Sequence, residues 1–275
     1  MSGTGLGSAK IRDLKIHDLQ KHLTRILKRR SYAVRECYYR LTRAVRSRGT
    51  PGWLIGTEAA YGGYADGVPV RRTGRRDPRS AEALARATMA GGDRMLRHDY
   101  APAYARRLLP LLDECSATRR GERLTVVEIG VLRGTGLAIW CDLFPHARVV
   151  GLDIDLDPFR ENVDRLKELG AFRRNRPEVY RFDQLEPKLE PQRFYISEII
   201  GRDMVQVCID DGHHSNAAVL NTLHTMLPFL NEQFVYFVED NPGVHRKIRA
   251  QFPQFAVESA GELTVVSPGT DNRSR

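Results

Sequence analysis

No apolar run in this 275-residue chain approaches the roughly 18 residues that a membrane-spanning helix requires. The first residues, MSGTGLGSAKIRDLK, lack the apolar segment of a secretory signal, so the sequence predicts a cytoplasmic protein. Cysteine is sparse: Cys37, Cys115, Cys141 and Cys208 lie far apart, and no two form a CxxC pair. That argues against a disulfide framework and a structural zinc site, and leaves reduced, mostly buried thiols. No internal repeat is present. A sustained hydrophobic period is also missing from Gly49 to Arg79, where Gly, Pro and Arg dominate. This stretch reads as a long loop, the kind that borders a ligand pocket.

What the chain does have is a charge asymmetry. Of its 43 Lys+Arg and 34 Asp+Glu, the first 120 residues hold 25 basic and 11 acidic, so the positive surplus lies in the N-terminal part. Such a surplus can face nucleic acid, anionic lipid, an acidic partner or an anionic substrate, or be a solvated face. Between Ile11 and about Val45 the apolar residues Leu19, Leu23, Ile26 and Leu27, then Val34, Tyr38, Leu41 and Val45, recur at three- and four-residue steps among Lys and Arg. The spacing predicts one long or two shorter amphipathic helices, suited to subunit contacts in a homo-oligomer or to acceptor positioning. A short helix is expected at Ser80 to Ala90 and another from about Tyr100 to Asp113.

After about Arg123 the pattern changes. Apolar, β-rich runs (LTVVEIG, ARVVGLDI, PEVYRFD, MVQVCID, FVYFVED) alternate with helical stretches, and FAVES with LTVVS closes the chain. Buried strands followed by helices imply a parallel sheet covered on both faces, with the last two runs as a closing hairpin. The expected division is a helical, basic region at 1–115 and an α/β domain at 116–275. Ligands of such sheets sit outside the carboxyl ends of the strands, and the polar motifs fall there.

The first strand runs into VVEIGVLRGTG. Gly130 suits a tight turn, and Gly134 and Gly136 suit close approach of backbone to a ligand and of helix to sheet. The order GxxxGxG is not the GxGxxG of a pyrophosphate cradle, which counts against a nicotinamide dehydrogenase. Glu128 precedes the loop, Asp153 ends the second strand, and Asp183 and Gln184 follow the third. Together these resemble the class I S-adenosylmethionine-dependent methyltransferases, over roughly residues 120 to 267. The resemblance implies a Rossmann-like, mostly parallel seven-stranded sheet with an α-helical N-terminal extension. It also implies S-adenosyl-L-methionine bound at Glu128, Gly130 and Gly134, with Asp153 on the ribose and Asp183 and Gln184 at the adenine.

The fourth strand leads into IDDGHH, and the fifth ends in Glu239 and Asp240. Converging oxygen ligands suit a hard divalent cation such as Mg²⁺, and a histidine of ordinary pKa suits proton abstraction at neutral pH. DGHH followed by an ED pair resembles the metal-dependent sugar O-methyltransferases of macrolide and related glycoside biosynthesis. That likeness implies Asp211, Glu239 and Asp240 as metal ligands and His214 as base. Asp210 and His213 satisfy the same DxxH spacing, so the register is open, with the later pair preferred. Upstream, GGDRMLRHDYAPAY is similar to a segment that these enzymes place against the methionine end of the cofactor, which implies that residues 91–104, with Asp93, His98 and Tyr100, close over it. Arg94 stands where Lys is common.

The resemblance implies a small-molecule or oligosaccharide acceptor bearing a sugar hydroxyl. Two alternatives remain: an RNA-binding methyltransferase using the basic N-terminal half, and a catechol-type O-methyltransferase. Against nucleic acid, the basic residues lie on amphipathic stretches without an aromatic platform, and the acidic cluster would repel phosphate.

Overall fold

The computed structural model describes residues 31–64, 91–117, 123–186 and 188–269. Helix α1 spans 31–42 and runs into a 3-10 turn at Arg43–Val45. Its apolar residues Val34, Tyr38, Leu41 and Val45 are exposed, at 70%, 56%, 76% and 86%. The inward face is instead polar and aromatic. Glu36 Oε1 accepts from the Tyr64 amide at 2.6 Å, and Arg43 pairs with Asp142 beneath the rings of Trp53 and Tyr61. Residues 11–30 and the expected helix at Ser80–Ala90 lie outside the described residues.

Part of the stretch expected as a loop, Gly49–Arg79, is a helix. Pro51–Ala60 forms α2, with Trp53, Leu54, Ile55, Thr57 and Glu58 all buried. Pro51 sits at the first turn, where its missing N–H costs nothing and its fixed φ suits the helix. Gly56 reads as a breaker in sequence, but here its bare Cα permits contact with α1: a Cβ would lie 2.5 Å from the Tyr39 carbonyl oxygen. Packing outweighs the roughly 1 kcal/mol that a mid-helix glycine forfeits. Residues 65–79 lie outside the described residues.

Helix α3, Ala101–Ala117, precedes the sheet. The elements then alternate: β1 Thr125–Ile129, α4 Thr135–Leu143, β2 Arg148–Asp153, α5 Asp157–Glu168, β3 Glu178–Arg181, α6 Leu189–Ile200, β4 Val205–Asp210, α7 Asn216–Met226 and β5 Leu230–Val238. Helix α8, Val244–Gln251, and the hairpin β6 Phe255–Ala260 with β7 Leu263–Pro268 complete the chain. The seven strands are ordered β3-β2-β1-β4-β5-β7-β6, and β7 alone runs against its neighbours. Strand alternation divides the core. Val126, Val149, Val207 and Phe237 pack with α2, α3 and α4, whereas Val127, Val150, Cys208 and Tyr236 pack with α6, α7 and α8. This is why the central strands read as unbroken apolar runs. Because α2 and α3 share one apolar cluster with α4 and β1, the N-terminal helices and the sheet are packed as one body.

Strand register sets the site. The last residue of β4, Asp210, pairs with Ile129 of β1 and with Val238 of β5, so the residues that follow all three strands emerge side by side. The ladder continues one step beyond, with the Asp211 amide on the Ile129 carbonyl at 2.8 Å and the Glu239 amide on the Asp210 carbonyl at 3.0 Å.

Candidate active site

At this edge three carboxylates surround one guanidinium. Arg94, in the turn before α3, places Nη1 2.8 Å from Glu128 Oε1 and Nη2 2.7 Å from Asp211 Oδ2, and Nε 2.8–2.9 Å from Glu239. Its planar fork serves three acceptors in three directions, which a single ammonium point charge does not reproduce. The cation also lies 5.4 Å from the centre of the Trp140 ring. One positive charge faces three acids, Glu128 and Glu239 buried and Asp211 partly exposed, so the acids outnumber the cation. Burial pushes Glu128 up to about 7 in spite of Arg94, and raises Asp211 and Glu239 as well.

The two DxxH registers are physically inequivalent. Asp210 points into the core, where Oδ1 accepts from Gln184 Nε2 at 2.7 Å and Oδ2 from the Tyr236 hydroxyl at 3.2 Å. Burial lifts it to about 7. His213 is exposed and turned to Ser215 Oγ at 3.1 Å, beside the N-cap of α7. One residue on, Asp211, His214 and Asp240 each bring a ligand atom within 4.8 Å of the others. Asp240 has φ 54°, a left-handed conformation that aspartate tolerates better than most residues, and Oδ1 accepts from the Tyr100 hydroxyl at 2.8 Å.

Of the expected metal ligands, the structure therefore joins Asp211 and Asp240 with His214. Glu239 is fully buried, and its oxygens are committed to Arg94 and to the Tyr104 hydroxyl. The two carboxylates at the open rim are oxygen donors that fit a divalent ion, with the His214 imidazole beside them. Beside them His98 links the upstream segment to the same edge. Nε2 is 3.3 Å from Asp93, and Nδ1 is 3.5 Å from Asp240 and 3.4 Å from Glu262. Asp93, helped by Asp240, raises His98 to about 9.

The glycine loop is held from beneath. Asp153 Oδ2 accepts from the amides of Val131 at 2.7 Å and Leu132 at 2.9 Å, and Oδ1 from Asp155 at 3.0 Å. Gly130, at φ 89°, has no room for a side chain, because a Cβ would overlap the Asp211 carbonyl. Gly134, at φ 82°, caps α4 against Phe159. Two buried polar atoms near this loop have no hydrogen-bond partner, Glu128 Oε2 and Thr135 Oγ1, while Arg94 Nη1 is held by the other Glu128 oxygen. A carboxylate oxygen left over beside a guanidinium whose Nη atoms carry more than one N–H each fits the ammonium and carboxylate of an amino-acid group.

Gln184 is where the structure corrects the sequence reading. Its side chain is not available to an adenine edge: Nε2 donates to Asp210 and to Thr222 Oγ1 at 2.9 Å, and Oε1 accepts from the His213 amide at 2.6 Å. Buried Asp210 needs a donor, and Gln184 supplies it. Asp183 Oδ1 accepts from the Leu185 amide at 2.9 Å. Glu58 of α2 was not foreseen at all, although its carboxylate holds the turn that carries Arg94. An acid alone among apolar neighbours in WLIGTEAAY was the signal for it.

No family model matches the chain. It is 30% identical over 190 residues, 64% of this chain, to the 8-demethyl-8-alpha-L-rhamnosyl tetracenomycin-C 2'-O-methyltransferase of Streptomyces olivaceus. The match spans 44% of that relative's length. The strand order and the lone antiparallel β7 decide the architecture. The chain has the class I methyltransferase fold. Among solved structures, this methyltransferase fold meets the MycE methyltransferase of the mycinamycin pathway, in complex with Mg and SAH, at TM-score 0.47 and 19% identity, covering 73% of this chain and 57% of that one. The O-methyltransferase TomG of Streptomyces achromogenes, in complex with SAM, matches at TM-score 0.42 and 14% identity, covering 57% and 78%.

Proposed function

We propose that the protein is an S-adenosylmethionine-dependent O-methyltransferase whose acceptor is a hydroxyl on a sugar or glycosylated metabolite, assisted by a divalent ion. The observation that carries this reading is the meeting of two half-sites at one sheet edge. The buried Glu128–Arg94 pair, with Glu128 Oε2 left without a partner, lies beside the glycine loop, and Asp211, His214 and Asp240 converge at the adjoining strand ends. The curated relative's 2'-O-methyl transfer to a rhamnosyl group supports the sugar hydroxyl as acceptor.

In this reading Glu128 and Arg94 take the amino-acid end of the cofactor, under the segment that carries Asp93, His98 and Tyr100. Asp153 orders the loop through its amides, so that Gly130 and Gly134 keep the backbone close to the nucleoside. Asp211 and Asp240 would hold the ion, which supplies Lewis-acid polarisation of the acceptor. Glu239 stays on Arg94 and Tyr104, fixing the guanidinium from behind. A ring nitrogen of His214 would take the acceptor hydroxyl's proton, and the bound cofactor would supply the methyl group to that oxygen. Orientation contributes too, because an in-line approach of oxygen to methyl turns a bimolecular encounter into an intramolecular one.

Calorimetry with S-adenosylmethionine and S-adenosylhomocysteine, followed by a methyl-transfer screen over glycosides, free sugars, catechols and RNA with and without chelator, tests the reading. Saturable binding of both nucleosides and transfer to glycosides that chelator abolishes are expected. NADH binding in their place, or full transfer in excess chelator, overturns the cofactor and the metal assignment respectively.

A further inference from the structure

Glu58 has no place in the chemistry above, yet it is fully enclosed. It lies on α2, 2% exposed, and neither solvent nor an arginine fork satisfies it. Its partners are backbone. Both carboxylate oxygens accept from the Met95 amide, at 3.1 and 3.0 Å, and Oε2 also accepts from the Leu96 amide at 3.3 Å. Those two amides follow Arg94 directly. On the other side of Arg94, Gly92 lies so near that a Cβ there would be 2.7 Å from Glu58 Oε1. The turn is thus hydrogen-bonded on one flank and closely packed on the other of the one residue whose guanidinium meets Glu128, Asp211 and Glu239.

We propose that Glu58 is a positioning residue: by gripping the backbone of the Arg94 turn from α2, it sets the guanidinium in register with the three strand-end carboxylates and thereby governs cofactor affinity. Burying a carboxylate is costly, and two amides in one short turn are the donors that make it tolerable. Burial pushes Glu58 up to about 8 even with those donors, so the acid is kept at a cost to the fold. An acceptor is needed here because the turn would otherwise leave two buried amides unpaired.

The helix that carries Glu58 is itself anchored to the sheet side of the molecule. Tyr61, at the end of α2, donates to Asp142 of α4, and Arg43 pairs with the same carboxylate. A continuous path therefore runs from α4 through α2 and Glu58 to Arg94. It gives the N-terminal helices a task at the site without their touching a ligand. The grip is an acceptor function, so Gln, which keeps a carbonyl oxygen at the same reach, should largely preserve it, whereas Ala should not.

The consequence for cofactor affinity rests on the methyltransferase reading; the grip itself does not. Two measurements on the full-length protein keep them apart. Hydrogen exchange read at Met95 and Leu96 should rise about 10-fold or more in Glu58→Ala and stay near native in Glu58→Gln. Unchanged exchange in Glu58→Ala overturns the grip whatever the protein binds. Calorimetry with S-adenosylhomocysteine should show roughly a 10-fold weakening in Glu58→Ala, near-native affinity in Glu58→Gln, and no further loss when Glu58→Ala is combined with Arg94→Lys than Arg94→Lys produces alone.

Leu54→Ala, which opens the core of the same helix, separates positioning from stability. At an equal or larger fall in Tm it should leave affinity within about 2-fold. Equal loss of affinity in Leu54→Ala, or multiplying effects of Glu58→Ala and Arg94→Lys, would mean that Glu58 only stabilises α2. If the native protein binds neither S-adenosylmethionine nor S-adenosylhomocysteine, the cofactor reading fails and the affinity claim with it, while the exchange result still decides the grip.

Discussion

Gly136 lies directly against the Glu128 carboxylate: a Cβ at position 136 would overlap Glu128 Oε1 and come within 2.6 Å of Arg94 Nη1. Helix propensity and site geometry therefore oppose one another at this residue. Alanine would favour α4 by about 1 kcal/mol. Displacing a buried acid from its cation costs about 3–5 kcal/mol.

The second effect wins, so Gly136→Ala should lower Tm in spite of the better helix former. It should weaken S-adenosylhomocysteine by roughly 10-fold or more, since about 1.4 kcal/mol of misplacement suffices for that. Thermal melts and calorimetry on the purified variant decide it. Unchanged affinity with a raised Tm would mean that Glu128 can move aside freely.

Asp210 and Asp211 are adjacent in sequence and should fail in different ways. Asp210→Ala leaves one N–H of Gln184 Nε2, whose other goes to Thr222 Oγ1, and the Tyr236 hydroxyl without their buried Asp210 acceptor. Each orphaned group costs about 1–3 kcal/mol, so the denaturation midpoint should fall markedly. Asp211→Asn keeps volume and one acceptor oxygen, so its midpoint should change little. Methyl transfer should collapse and the ion requirement should rise instead. The reverse pattern would put the active register at Asp210 and His213.

The sheet was legible because β-rich runs spaced by helices have few solutions, and the paired carboxylates at the ends of β4 and β5 were legible because strand ends are where polar groups interrupt apolar runs. The closing hairpin was visible for the same reason. What could not be read was direction. Gln184 follows β3 as an adenine-reading residue would, but the side of the strand to which it turns depends on Asp210, a residue 26 positions later that needs a donor. Glu239 and Asp240 look equivalent in sequence. The left-handed backbone at Asp240 sends one carboxylate to the rim and leaves the other behind Arg94. Helix α2 was hidden by its glycines, whose value is close contact, of Gly56 with α1 and of Gly52 with Arg46, not flexibility. Arg94 looked like a stand-in for lysine, and the three-way pairing emerges only when β1, β4 and β5 are side by side.

Glu58 also predicts a pH dependence of stability. Its pKa rises from 4.5 to about 8 on folding, so between those values the folded chain holds more of this proton than the unfolded chain does. Stability from this group is then highest below about pH 4.5, declines as pH rises through that window, and levels off above about 8. Glu58→Gln removes the titration. The stability of the native protein relative to Glu58→Gln should therefore fall from pH 5 to pH 8, as measured by chemical denaturation at each pH. A difference independent of pH would contradict the buried, raised carboxyl.

His214 remains the residue on which the proposed chemistry turns. It is exposed at the rim, in the same cluster as Asp211 and Asp240, whereas His213 faces Ser215 at the start of α7. If His214 takes the acceptor proton, His214→Ala should lower kcat by roughly 10²- to 10⁴-fold, the usual share of a general base, with cofactor affinity unchanged. His213→Ala should act through the N-cap of α7 and cost about 1 kcal/mol of stability or less, with kcat within a few-fold of native. The acceptor sharpens the test. An alcohol near its unperturbed acidity depends on a base, while a catechol hydroxyl is acidic enough to react with far less help. Single-turnover methyl transfer to a glycoside and to a catechol, in the native protein and in both variants, should therefore show the large His214 effect on the glycoside. Efficient catechol methylation that His214→Ala leaves intact would remove both the base and the sugar hydroxyl from the proposal.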